Sequence, residues 1–565
     1  MAQAIPRTLI EPVLSKAEAN PDGICFYTRN AAHWQAHTHR EFHDDIVRVA
    51  TALAGLGVGR GDRIGLLGPP SYQWEVSDKA IMYLGAITVG LDGKATAENL
   101  GFIVDNTALR GLFIEDVASF ERIPAAARAT LEFVVFFNGD PDSNDGRHHR
   151  FDDLRARAAS GEPAAAVIDP EAVGAIIFTS GTTGRPKGIP LRQRQLSAGF
   201  PLMHEIFQGE TGHRTVAWVP LYNITGRMMS ANNHYMDVVQ YVIKDPMALI
   251  DTCKQVNPTY IVVLPRILEK VHQGVQHSLA KRPAALRTAF KSMLGLRKAL
   301  PLSGVRALTD PLLVKKVRGA IWGSDMQFLI CGSAPVDRAI LEFFDALGVP
   351  TLEVYGMSEL GFLLTMNRPD RKRYGSVGEP LANVSIRLAE DGEVLVRTDA
   401  ALEHYWGESD TSELFDPDGW LKTGDLGEMK DGYLYLKGRK KEIIKTSTGL
   451  RIAPVGVENA YKDIAGIDSL VAIGDNRKYL VGLVALEPAF REALQSQGQD
   501  PREYVARELE SRHARLPGNQ QIKRFALLDR PLTIEDGEIT PTLKLRRAAI
   551  EQKYREQIEA LYAQD

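Results

Sequence analysis

Residues 178–188 read FTSGTTGRPKG, a string in which Thr179, Ser180, Thr182 and Thr183 stand among Gly181, Gly184 and the cation Lys187. Hydroxyl groups, backbone N–H groups exposed by glycine and one ammonium can surround an anion. At this density they fit the β- and γ-phosphates of ATP. The GxxxxGK[ST] spacing of a Walker A loop is absent, so a kinase or P-loop NTPase loses its main support. Five later strings also gather chemistry-bearing side chains: CGSAPV (331–336), EVYGMSE (353–359), WLKTGDLG (420–427), LKGRKKEIIK (436–445) and ITPTLKLRR (539–547). Taken singly, Asp425 would be a turn residue, Glu359 an exposed charge or cap, and Lys544 a solvated lysine.

The elements around these strings must hold them in place. The apolar run AVGAIIF (172–178) leads directly into the glycine-rich loop, and DRIGLLG (62–68), YIVVLP (260–265) and MQFLICG (326–332) also end in turns. With helical periods such as DDIVRVATALAGLGV between them, these runs predict βα units around buried sheets, whose strand ends are where such folds bind ligands. After Trp420 the texture becomes hairpin-like, with Tyr433 and Tyr435 alternating with Leu434 and Leu436. The reading is therefore α/β, with a large N-terminal domain over residues 1–440 and a small, mobile α+β domain over 441–565 that ends in an amphipathic helix.

A chain of 565 residues exceeds one compact core, and 44% apolar with 24% charged residues is ordinary for a globular enzyme. A net charge of -4 supplies no broad basic face for nucleic acid. The basic helical stretch from Val271 to Arg318 reads first as a solvated face and second as a membrane-surface or acyl-substrate contact. Cys25, Cys253 and Cys331 lie far apart without metal-ligand spacing, which predicts a reducing compartment and no structural zinc. No secretory signal and no bilayer-length apolar run is present, so the expected location is cytoplasmic, with peripheral membrane contact left open.

From about Gly23 to Arg547, these strings in this order resemble the motifs of the adenylate-forming (AMP-binding) superfamily of acyl-CoA synthetases, peptide-synthetase adenylation domains and luciferases. PRILEKV (265–271), GWLKTGDLG, KGRKKEIIKTSTG and ITPTLKLRR together look most like long-chain fatty acid acyl-CoA synthetases. The resemblance implies activation of a carboxylic acid, medium- or long-chain, as an acyl-AMP and then its transfer to coenzyme A, using ATP and Mg2+. The alternatives are delivery to an acyl carrier protein, an aryl or other acid as substrate, or a non-catalytic homologue. The last of these predicts loss of Lys187, Glu359 or Lys544, and all three are present.

The same resemblance implies a role for each residue. Thr179 to Gly184 and Lys187 would hold the departing pyrophosphate, and Thr179 and Glu359 the magnesium. Gly332, Ser333, Ala334 and Pro335 would form the adenine-side loop, while Glu353, Tyr355 and Gly356 lie on the strand and turn that stack on adenine, with Ser358 toward the α-phosphate. Asp425 and Arg439 would bind the ribose, Lys441 would be the hinge, and Lys544 would bridge the acid and the α-phosphate. Tyr222, Asn223 and Gly449 fall on the acyl and coenzyme A side. Two positions depart from the pattern: Asn223 and Gln193 lie where relatives often carry histidine. Ser358 replaces a more frequent threonine and keeps the hydroxyl.

Overall fold

The strand-and-helix alternation folds into stacked sheets in a computed structural model. It describes residues 5–30, 33–142, 144–157, 166–179, 185–207, 212–299, 315–408, 410–462, 464–533, 536–539 and 545–563. Strands β1 (Ile24–Asn30) and β2 (His33–Thr38) pair antiparallel. The next seven are β3 (Arg63–Leu67), β4 (Ile87–Leu91), β5 (Gly111–Ile114), β6 (Phe133–Phe136), β7 (His148–Arg150), β8 (Val173–Thr179) and β9 (Lys187–Arg192). They form one sheet in the order β7-β6-β5-β3-β4-β8-β9, parallel except where β9 turns back on β8.

Alternate residues of these strands feed two separate cores. Ile64, Leu66, Phe113, Phe133 and Val135 pack on one face with Phe42, Trp74 and Ile81, whereas Leu67, Leu112, Ile114, Val134 and Phe136 pack on the other with Ile103 and Val104. A sheet buried on both faces needs near-continuous apolar strands, which is why these runs show no polar alternation. The helix His39–Gly55 presents Phe42, Ile46, Val49, Ala50 and Leu53 to the first core, and Thr38 and Glu41 close a capping box at its start.

Strands β10 (Arg214–Ala217) and β11 (Val239–Val242) extend the first sheet in the order β10-β11-β1-β2. A five-stranded sheet follows in chain order: β12 (Tyr260–Val263), β13 (Phe328–Cys331), β14 (Thr351–Met357), β15 (Phe362–Met366) and β16 (Glu379–Pro380). Between β12 and β13 the basic stretch is helical over Pro265–Ala280, Ala284–Ala299 and Lys315–Trp322. Lys281, Arg282, Arg287, Lys291 and Lys298 are exposed, as a solvated face requires, but Arg297 is buried.

The chain divides into two compact units, Met1–Ser385 with Arg397–Leu421, and Ile386–Val396 with Lys422–Asp565. The second contains most of the sheet β17 (Ser385–Leu388), β18 (Glu393–Arg397), β19 (Leu421–Lys430) and β20 (Tyr433–Arg439). The hairpin β21 (Ile444–Lys445) and β22 (Arg451–Ile452) comes next, followed by the sheet β23 (Ile467–Ile473), β24 (Leu480–Leu486) and β25 (Ile522–Leu527). The final helix expected as one piece is two, Arg547–Lys553 and Arg555–Tyr562, broken at Tyr554 with φ -102° and ψ 20°. The Tyr554 hydroxyl donates to Glu538 at 2.8 Å, a bond that holds its side chain on the buried carboxylate at the break. Among the described residues, no helix is long and apolar enough to cross a membrane.

The first unit also buries charge. Lys79, 1% exposed on the helix Tyr72–Tyr83, lies 2.9 Å from Asp78 and 3.4 Å from Glu75, and Arg227 approaches Asp78 to 3.3 Å. Burial alone would raise the Glu75 carboxyl, but Lys79 and His234 hold it at about 2. Lys79→Met would leave two buried carboxylates short of a cation, a loss typically costing about 3–5 kcal/mol. Urea denaturation should show that loss, and a variant within about 1 kcal/mol of the parent would mean that the pair is not needed.

Candidate active site

The glycine-rich string sits at a reversal of chain direction. Strand β8 ends at Thr179 and β9 begins at Lys187, and the two residues face each other across the antiparallel pair. Ser180, Gly181, Thr182, Thr183 and Gly184 lie outside the described residues. After them, Arg185 stacks its guanidinium 5.6 Å from the centre of the Phe102 ring. Strand pairing thus holds Thr179 and Lys187 opposite each other at the end of the pair.

A segment without any motif ties this hairpin to Glu359. Glu359 sits in the turn Ser358–Leu360 that follows β14. The backbone N–H of Leu402 donates to the Glu359 carbonyl at 2.7 Å, and that of Trp406 to the Gly188 carbonyl at 2.8 Å. Gln195 donates to the Ala401 carbonyl at 2.8 Å, and Arg192 pairs with Glu403 at 2.9 Å. Between these anchors, the Tyr405 hydroxyl donates to the Glu359 carboxylate at 3.3 Å, and the Lys187 ammonium lies 4.6 Å from the centre of the same tyrosine ring. Lys187 also approaches Glu408 at 3.4 Å. Burial and the Glu359 charge push the Tyr405 phenol up, so the hydroxyl remains a donor.

The adenine-side strings meet at neighbouring strand ends. Strands β13 and β14 are parallel, with Cys331 opposite Glu353, so Gly332, Ser333, Ala334 and Pro335 leave the sheet beside Tyr355 and Gly356. Ser333 has φ +76°, a left-handed backbone that turns the loop sharply. Ser333, Ala334, Pro335 and Gly356 are exposed, whereas Tyr355 is buried. Burial pushes the Glu353 carboxyl up to about 8, and it accepts a 3.2 Å hydrogen bond from Gly375 N–H.

The turn carrying Tyr222 and Asn223 packs on the same large sheet. A methyl group on Gly90 of β4 would lie 2.5 Å from the Tyr222 carbonyl oxygen, so only glycine permits this approach. Gly90 pairs with Ile177 of β8, two residues before Thr179. Burial and Asp92 push the Tyr222 phenol up. The Asn223 side-chain oxygen accepts the Gly226 N–H at 3.0 Å and caps the helix Ile224–Tyr235, a structural use of the position where relatives often have histidine. Gln193, at the other departure, is buried and accepts the Leu9 N–H at 3.1 Å.

In the second unit, Asp425 of β19 and Arg439 of β20 face each other, with Arg439 Nε 3.2 Å from Asp425 Oδ1. Asp425 is 7% exposed and Arg439 is exposed, so the pair has one anchored and one accessible member. Lys441 is exposed in the short turn Lys440–Glu442, while its neighbour Lys440 is held by Asp391 at 2.6 Å and Glu393 at 2.7 Å. Gly449, with φ +82°, lies in the loop of the β21–β22 hairpin. Lys544 lies outside the described residues; on either side of it in sequence, Ile539 and Leu545 form an antiparallel bridge.

Residues 399–408 and Asp92 escaped the sequence reading because their partners are remote and no recognisable spacing marks them. The only local signal is the aromatic pair Tyr405 and Trp406 in a polar stretch.

Known proteins resemble this chain in sequence and in fold. The profile of AMP-binding enzymes matches residues 14–406, and that of the AMP-binding enzyme C-terminal domain matches residues 441–565. The long-chain-fatty-acid–CoA ligase FadD15 of Mycobacterium bovis is 28% identical over 584 residues, covering 96% of this chain and 95% of its own. The long-chain-fatty-acid–CoA ligase ACSBG2 of Homo sapiens is 27% identical over 597 residues, covering 95% of this chain and 89% of its own. The adenylation domain of a carboxylate reductase from Mycobacterium chelonae superposes with a TM-score of 0.82 at 21% identity, over 98% of this chain and 91% of that one, a likeness of fold. With a family match covering more than half of its length, the chain belongs to the AMP-binding enzymes.

Proposed function

We propose that the protein is an acid–thiol ligase that joins a long-chain fatty acid to coenzyme A through an acyl-AMP. The observation that supports this reading is that Thr179 lies opposite Lys187 in a strand pair while Tyr405 contacts both Lys187 and the Glu359 carboxylate, which brings one hydroxyl, one cation and one carboxylate into one neighbourhood. The names of the full-length relatives supply the acid and the acceptor.

A free carboxylate is a poor electrophile because its oxygen is a poor leaving group. In the first step a carboxylate oxygen attacks the α-phosphorus of ATP, the bond to the bridging oxygen breaks, and pyrophosphate leaves. Negative charge shifts onto the leaving phosphates, where Lys187 and the loop donors stabilise it. Glu359 and Thr179 offer hard oxygen donors, a set that suits Mg2+ shared with phosphates. A bound Mg2+ would supply Lewis-acid charge stabilisation there. Asp425 accepts from the ribose hydroxyls and Arg439 reaches ribose or phosphate. Lys544 bridges the incoming carboxylate and the α-phosphate.

In the second step the thiol sulfur of coenzyme A attacks the acyl carbon, the carbon–oxygen bond to AMP breaks, and AMP departs. Lys544 and the thiol need the same space, so a turn of the small domain about Lys441 would withdraw one and bring the Gly449 loop toward the other. The exposed lysines and arginines at 281–298 would face an anionic membrane surface as acid is taken up.

Pyrophosphate release measured over acids of graded chain length, with and without coenzyme A, tests the assignment. Release that depends on a long-chain acid, with acyl-CoA formed when coenzyme A is added, is expected. A thioester formed only on a phosphopantetheine carrier would overturn the acceptor. Lys544→Ala should slow acyl-AMP formation by about 10²–10³-fold and leave transfer from supplied acyl-AMP near normal, since its charge serves the first transition state. Equal losses in both half-reactions would reject that role. Lys441→Pro fixes φ near -65°, so it should retain acyl-AMP formation and lose most thioester formation. Thioester made at the parent rate would remove the hinge from this residue.

A further inference from the structure

Glu359, in a turn, and Lys187, at the start of strand β9, lie 172 positions apart, each on a flexible side chain whose ordering costs entropy when ATP binds. Both are held by one residue that none of the motifs includes. We propose that Tyr405 is a positioning residue for nucleotide binding, its hydroxyl holding the Glu359 carboxylate and its ring holding the Lys187 ammonium. The proposal rests on the reading of Glu359 as the metal-side ligand and Lys187 as the phosphate-side cation.

Three observations support it. Tyr405 is anchored on both sides of the site by backbone bonds from the segment that carries it, Leu402 to the Glu359 carbonyl and Trp406 to the Gly188 carbonyl beside Lys187. The backbone on either side of Tyr405 is therefore tied to the Glu359 turn and to strand β9. Its two contacts are also chemically separate. The 3.3 Å bond uses the hydroxyl, and the 4.6 Å contact uses the electron-rich face that attracts a cation. Finally, the ion pair of Lys187 with Glu408 joins two partly exposed side chains, 37% and 47% accessible. An exposed pair of this kind is weak and gives way to a phosphate, whereas the ring contact can persist in the complex. Such preorganisation raises affinity without adding a contact to the ligand.

Because the contacts separate, two substitutions divide the role. Tyr405→Phe deletes the hydroxyl and keeps the ring; Tyr405→Leu deletes both. Binding of a non-hydrolysable ATP analogue to the full chain is measured by calorimetry in EDTA and with Mg2+, and Mn2+ binding to the analogue complex by electron paramagnetic resonance. Glu359→Gln serves as the comparator and thermal melting as the check on folding. Tyr405→Phe should bind Mn2+ in the complex roughly tenfold more weakly while its metal-free analogue affinity stays within about twofold, the size expected for one hydrogen bond to a charged group. Tyr405→Leu should lose metal-free affinity as well, by about threefold to tenfold. If Glu359→Gln removes the metal-dependent gain and Tyr405→Phe does not, the proposal is wrong and the reading of Glu359 stands. If the parent protein gains no affinity from Mg2+, the reading of Glu359 fails and takes the proposal with it. A misfolded Leu variant leaves the Phe variant, which changes one oxygen, to decide.

Discussion

The active end of the large sheet depends on one reversal of strand direction. Six strands run parallel, and the seventh, Lys187–Arg192, turns back on Val173–Thr179. Parallel strands need long crossovers, so residues at their ends are delivered by separate segments; an antiparallel pair delivers both of its ends from one short loop. The reversal therefore brings a hydroxyl and an ammonium to the same edge with backbone hydrogen bonds fixing their register. Thr179 and Lys187, the two ends of the pair, bracket the glycine-rich string in sequence.

Other parts of the first unit are arranged around that edge by close approach. The turn carrying Tyr222 and Asn223 reaches it because Gly90 has no side chain to hold it off, and Gly90 lies on the strand next to the reversal. Asn223 then spends its side-chain oxygen on the helix that follows, so the residue fixes backbone at a position where a histidine would leave a ring. The segment 399–408 closes the other side, bonded through its backbone to the Glu359 turn and to Gly188. These constraints are local and rigid, whereas the acid–thiol reaction asks for two different arrangements around the same carbon.

The sequence by itself determined the class of fold, the motif order and the family. Apolar runs of five to seven residues, rich in β-branched side chains and ending in glycine or proline turns, read as buried strands because helices need longer runs. FTSGTTGRPKG suggests an anion-binding loop from its own residues, whereas EVYGMSE and WLKTGDLG became readable through their order and their resemblance to the family's motifs. The tertiary structure decided what depends on partners distant in the chain: that Tyr405 stands between Lys187 and Glu359, that Asn223 caps a helix, that Arg297 is buried within a basic face, and that the last helix breaks at Tyr554. Local pattern records which face of an element is apolar. It carries no trace of which remote segment will cover that face or accept its hydrogen bonds, because those choices are made by packing after the elements exist.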